Sequence, residues 1–166
     1  KEALNSKEME ALNLLVNQLE NNINSKDVVN KQVSQVDVSW HLAHSLKVLH
    51  NIIKVLQSSD PADYRWRFNR SRSFVYFINF IPRGKGKAPK AVIPAEAISK
   101  DELHQDIATV RQLLNNLQHL DAKSNFTHPY FGQLNLKQTK KFLALHTKHH
   151  LKIIEDIKNS NTNFTN

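Results

Sequence analysis

A chain of 166 residues with 23 basic against 15 acidic side chains has a formal net charge of +8, and its length suits one domain. Hydrophobic residues make up 40% and charged residues 23%, an ordinary globular balance, while three Gly and five Pro exclude collagen-like, linker-like or loop-dominated architecture. The absence of cysteine excludes a disulfide framework, thiolate-held zinc, iron–sulfur clusters and a cysteine nucleophile, so any metal must use His, Asp or Glu. No apolar run approaches the ~18 residues a membrane span needs, and the opening KEALNSKEMEALN lacks the apolar core of a signal peptide. A soluble, cytoplasmic protein without a membrane partner is expected. The chain begins at Lys1 rather than Met, which leaves room for an upstream segment.

Hydrophobic spacing is helical almost throughout. Met9, Leu12, Val16 and Leu19 recur at threes and fours, and Ser6 with Glu8 and Glu10 offers an N-cap and an acidic first turn, predicting a helix over 6–23. A polar connection, Asn24 to Gln35, precedes a second helix from Val36 to Gln57, with Val38, His41, Ser45, Val48, Ile52 and Val55 on one stripe and Leu42, Leu49 and Leu56 widening it. Asp60-Pro61 restarts the chain into a third helical stretch, PADYRWRFNRSRSFVYFINF, dense in aromatics. Ile81 to Pro94 hold three of the prolines and two of the glycines and form the main loop. Ser99 and Glu102 read as a capping box for a fourth helix whose buried face is Leu103, Ile107, Val110, Leu113, Leu114 and Leu117. DAKSNFTHPYFGQLN reads as a turn-rich connection, Asn135 caps a last helix to about Lys158, and NSNTNFTN reads as a frayed tail. No stretch alternates with period two for long enough to argue a sheet, so an all-α fold is expected, a four-helix bundle with an additional helical segment and a long basic loop.

Nine histidines is a high count, and six fall in two clusters: His41, His44 and His50, then His146, His149 and His150. Helix residues four apart differ by only ~40° in direction, so His146 and His150 project together, along the stripe of Phe142, Leu143, Ile153, Ile154 and Ile157. His41 joins the inward stripe of the second helix, His44 lies at its edge and His50 points away. A pair at i, i+4 plus one imidazole from a facing helix gives three donors on one side of a divalent ion and leaves a position for water or substrate. A single inward imidazole is more often a hydrogen-bonded core residue. Three of them would each need partners, which a shared metal supplies. The candidate ligands are His41, His146 and His150, with His44 and His149 as alternates if either helix is rotated. His104 and His119 read as edge or solvated residues.

At these residues the chain resembles the DinB-like superfamily, four-helix-bundle proteins that include the YfiT-like bacillithiol transferases. Its pattern, a His followed by Leu and a small residue in the second helix and a His-x-x-x-His pair in the last, is met by His41-Leu42-Ala43 and by His146 to His150. FIPRGKGKAPKAVIP and THPYFGQLNLKQTKKFLALHTKHH look still more like an uncharacterised branch of it. The resemblance implies His41, His146 and His150 as ligands of Zn, Ni or Fe, and a small-molecule substrate such as a low-molecular-weight thiol, in S-transferase or hydrolase-like chemistry. A thiol on a dication loses its proton near neutral pH without help from a protein cysteine. Arg83, Lys85, Lys87 and Lys90 could steer an anionic substrate or be a solvated loop; His128, Tyr130 and Phe131 line a pocket mouth or fasten their connection.

There is no GxSxG elbow, phosphate-cradling Gly-rich loop or His-Glu-x-x-His, and the inward faces lack the Glu residues of a di-iron bundle. The runner-up is a basic nucleic-acid-binding module, because Arg65, Arg67, Arg70 and Arg72 interleave with Tyr64, Trp66, Phe68, Phe74 and Tyr76. A third reading is a non-catalytic metal-binding or structural bundle, and apolar side chains left outside a small bundle suit a homodimer.

Overall fold

Apolar spacing of three and four builds the long elements of the computed structural model, which describes residues 2–84, 90–94 and 98–162, with the side chains of residues 2–5 and 160–162 left aside. Helix α1 runs Glu2–Asn21 and is followed by a 3₁₀ turn at Ile23–Ser25. Ser6 therefore lies inside α1 and does not cap it. Helix α2 spans Val38–Ser58, started by Asp37, whose side chain accepts from Trp40 N at 2.9 Å. Helix α4 spans Lys100–Leu117 with the expected capping box at Ser99 and Glu102, and buries the six residues its periodicity selects. Helix α5 covers Leu136–Thr162, four residues longer than its periodicity suggested; the first turn is held reciprocally, Gln138 N donating to Asn135 Oδ1 and Asn135 N to Gln138 Oε1. Residues 163–166 of the expected frayed tail lie outside the described residues.

The third stretch is not one helix. A 3₁₀ turn at Pro61–Asp63 leads into an irregular segment, and only Arg70–Ile78 forms a helix, α3. The segment before it is tied elsewhere: Arg65 N donates to Gln133 Oε1 at 2.7 Å. Asn69 caps α3 by accepting from Arg72 N, and Asn79, at φ 54°, ends it in the left-handed conformation that Asn tolerates.

The connection before α5 also differs. Strands β1, Asn125–His128, and β2, Gly132–Asn135, pair antiparallel in the register Phe126 opposite Leu134 and His128 opposite Gly132. Gly132 at φ +68° follows a three-residue loop, the usual way to close such a hairpin. The protein is therefore mostly helical with a small two-stranded sheet, which corrects the all-α expectation.

Helix α1 lies against α4 and α5, and α2 lies against the same two, so the four long helices enclose one apolar core; the hairpin packs on α2 and α5. Leu12, Leu19, Leu42, Leu49, Ile107 and Leu114 are among its fully buried side chains. Arg111 on α4 grips Glu20 on α1 with both nitrogens, at 2.6 and 3.2 Å. No described helix is long and apolar enough to cross a membrane.

Candidate metal centre

The Asp37 cap starts α2, whose first two turns deliver Trp40, His41 and His44 toward α5. From α5, His146 and His150 arrive together, one turn apart. One donor nitrogen from each of His44, His146 and His150 lies within 4.8 Å of the other two. His44 Nε2 and His146 Nε2 are 3.2 Å apart. Two imidazole nitrogens bonded at about 2.0–2.1 Å to a tetrahedral ion sit about 3.3 Å from each other, so this pair already stands at ligand spacing.

The second ring nitrogen of each group sets what the first can do. His44 Nδ1 lies 2.8 Å from the carbonyl of Val92, which can only accept, so Nδ1 carries the proton and Nε2 presents its lone pair to His146. A carbonyl holding the far nitrogen is the usual outer support of a ligating imidazole. Helix α2 reaches that segment twice more, through Lys47 Nζ to Ile93 O and Asn51 Nδ2 to Ala91 O. On α5, His149 Nδ1 donates to Ile81 O at 2.9 Å. The described parts of the main loop are thus fastened on both sides of the histidines.

His41 is buried beside the trio. Its Nδ1 is 3.0 Å from His150 Nδ1 and its Nε2 2.9 Å from Ser34 Oγ, so both ring nitrogens have protein partners. His146 differs: its Nδ1, on the side of the ring away from His44, is shut off from solvent and has no partner among the described residues, the kind of unsatisfied group that an ordered water answers. Trp40 stacks on His44, with ring centres 4.8 Å apart and planes at 14°.

Burial holds these imidazoles below their ordinary pKa, because desolvation penalises the cation, and neighbouring histidines add to it. His41 is pushed down to about 4, and His44 is lowered. His146 and His150 lie well below the usual value, and His149 is lowered too. At neutral pH the cluster is a set of uncharged nitrogen donors, the protonation state a metal requires.

Among the residues singled out in the sequence, His41, His146 and His150 come together, and His44 joins them from the edge of its stripe. The structure leaves His104 and His119 exposed. Arg83 is paired with Asp156 at 2.6 Å, Lys90 is exposed, and Lys85 and Lys87 lie outside the described residues. His128 fastens its connection: it stacks on Phe131 with ring centres 4.4 Å apart, and its Nδ1 accepts from Tyr130 N and Phe131 N. Arg72, grouped above with the phosphate-gripping arginines, is buried and donates to backbone carbonyls, which removes it from that set. Trp40 and the Val92 carbonyl went unnoticed in the sequence. The i, i+4 spacing of Trp40 and His44 could have revealed the first; nothing local reveals the second.

A family model described as a protein of unknown function (DUF1569) matches residues 9–157, and the chain belongs to that family. No curated protein and no solved structure matches the chain.

Proposed function

We propose that this DUF1569 protein is a metal-dependent enzyme of DinB-like type, built as a four-helix bundle of α1, α2, α4 and α5, with a divalent ion, Zn, Ni or Fe, held by His44, His146 and His150. The observation that carries the reading is the convergence of three neutral imidazole donors from two helices within 4.8 Å. His44 is preferred to His41 as the third ligand, because its Nε2 faces His146 with the far nitrogen anchored on Val92 O, whereas Ser34 and His150 occupy both nitrogens of His41. His41 then supports His150 from behind. Three protein donors on one side leave the ion open to a further ligand.

The ion would supply Lewis acidity, enough to bring the proton off a small thiol or water near neutral pH. That suits a chain without cysteine, which has no thiolate of its own. The residues of the chain would do the rest: Trp40 keeps the His44 ring in place by stacking, and Arg83, whose charge reaches His41 and His149, would receive an anionic substrate by exchanging its Asp156 partner. A low-molecular-weight thiol in transfer or hydrolase-like chemistry is the preferred substrate class.

The test is turnover across a panel of small thiols with an electrophilic acceptor, using protein loaded with Zn or Ni. The proposal expects thiol consumption that needs the ion and falls to background in His146→Ala, while His50→Ala behaves as wild type. Inert behaviour of the loaded protein across the panel would favour a non-catalytic metal-binding bundle.

A further inference from the structure

Helix α3 is built inside out. Its inward residues are Arg72, Val75 and Tyr76, and two of the three use polar groups there: the Arg72 guanidinium on backbone carbonyls and the Tyr76 hydroxyl on Gln138 O at 2.7 Å. The outward residues Arg70, Phe74, Phe77 and Ile78 follow helical spacing, and Phe77 is 89% and Phe74 60% exposed. The segment leading into α3 adds Trp66 at 64% and Phe68 at 68%. Single exposed apolar side chains are ordinary, but this many large rings within one short run mark an interaction surface.

Charge says what kind. Between Asp63 and Glu96 the sequence has no acidic residue and eight lysines and arginines, so this stretch carries the whole net charge of +8 and the rest of the chain is balanced. Arg65, Arg67 and Arg70 are exposed, and Arg67 and Arg70 have no carboxylate partner among the described residues. The partner is therefore anionic and apolar together.

We propose that the exposed rings and arginines between Trp66 and Phe80 dock this protein on the surface of a bilayer carrying anionic lipid. A second copy fits poorly, because a two-fold contact through this face would set Arg67 and Arg70 near their own equivalents. Single-stranded nucleic acid answers the charge, but Phe77 and Ile78 stand outward from a helix and form no groove, and an aliphatic side chain gives a base nothing to stack on. A bilayer answers both features: the rings enter the boundary between headgroups and acyl chains, and the guanidinium groups meet lipid phosphates. This is attachment to one leaflet, compatible with the lack of a described helix long and apolar enough to span. It departs from the expectation of a partner set without a membrane, which rested on the lack of a spanning run and of a signal-peptide core.

The test is co-sedimentation of the full chain with vesicles of phosphatidylcholine and with vesicles of phosphatidylcholine and phosphatidylserine in equal parts. The wild type sediments with the anionic vesicles and stays in solution with the neutral ones, and added salt weakens the binding. The double variant Phe74→Ser, Phe77→Ser loses binding by about tenfold or more, as does Arg67→Gln, Arg70→Gln. All four side chains are exposed, so the variants keep the unfolding temperature of the wild type. No sedimentation with anionic vesicles overturns the proposal, and so does unchanged binding by the phenylalanine variant, which would mean charge adsorption alone. Tighter, Trp66-dependent binding of an oligothymidylate would put nucleic acid in place of lipid. A concentration-dependent dimer that Phe77→Ser dissolves would put a second copy there.

Discussion

Replacing Arg72 by Met probes how α3 is held to the rest of the protein. Arg72 is 5% exposed, and its acceptors are all main-chain carbonyls: Nη1 reaches Phe131 O and Gln133 O, each at 3.3 Å, and Nη2 reaches Arg67 O at 2.5 Å. One side chain thereby ties the segment before α3, the hairpin loop and β2 together. Met matches the length of the apolar stem and supplies no donor, so three carbonyls lose a charge-assisted partner. At about 1 kcal/mol or more for each such bond, the gross loss is about 3–5 kcal/mol. Relief from burying a cation offsets part of it, which leaves a net loss of about 3 kcal/mol. For a domain of this size each kcal/mol lowers the melting temperature by about 2–4 °C, so a fall of about 6–12 °C is expected in thermal unfolding, with a matching loss in urea. Arg72→Lys recovers little, because one ammonium cannot span the three acceptors. A Met variant as stable as the wild type would show that these carbonyls do not depend on the guanidinium and would refute the reasoning.

Other expectations follow from the same structure. His44→Ala should weaken Zn or Ni binding far more than His41→Ala, which as an outer support costs about 10–100-fold by equilibrium dialysis; the reverse order would make His41 the ligand. Burial pushes His128 down to about 4, so its unfolded form takes up a proton first as pH falls. Stability should therefore drop between about pH 6.5 and pH 4 in metal-free protein, by at most about 3 kcal/mol for this residue. The buried cluster histidines add to the fall. His128→Asn, which keeps an acceptor for the two amides, should flatten its share of the slope in urea titrations taken at several pH values. Ser99→Ala, which removes one half of the capping box on α4, should cost about 1 kcal/mol in the same assay.

Helix α4 was fully legible because its signals are local: a capping box and six apolar residues at threes and fours, all six buried. The segment from Tyr64 to Asn69 was not, since its aromatic density looks like helix content while its conformation depends on the bond from Arg65 N to a glutamine in β2. Four-residue strands are too short to display alternation, and the hairpin announces itself only through Gly132 after a three-residue loop. The helical wheel alone could pair His146 with His150. It put His41 ahead of His44, because the contact that favours His44 as a ligand is a carbonyl at Val92, far along the chain. Chain periodicity orients side chains on one helix; it does not report which loop closes over them.

The account turns on whether the histidines of α2 and α5 hold one ion in common. X-ray absorption at the zinc edge, on untagged protein titrated with a single equivalent of Zn, reads the donors directly. Three imidazole nitrogens at about 2.0–2.1 Å plus one water oxygen are expected, with the imidazole signal reduced in His146→Ala. Zinc surrounded by oxygen alone, or an unchanged spectrum in the variant, would contradict a shared histidine site.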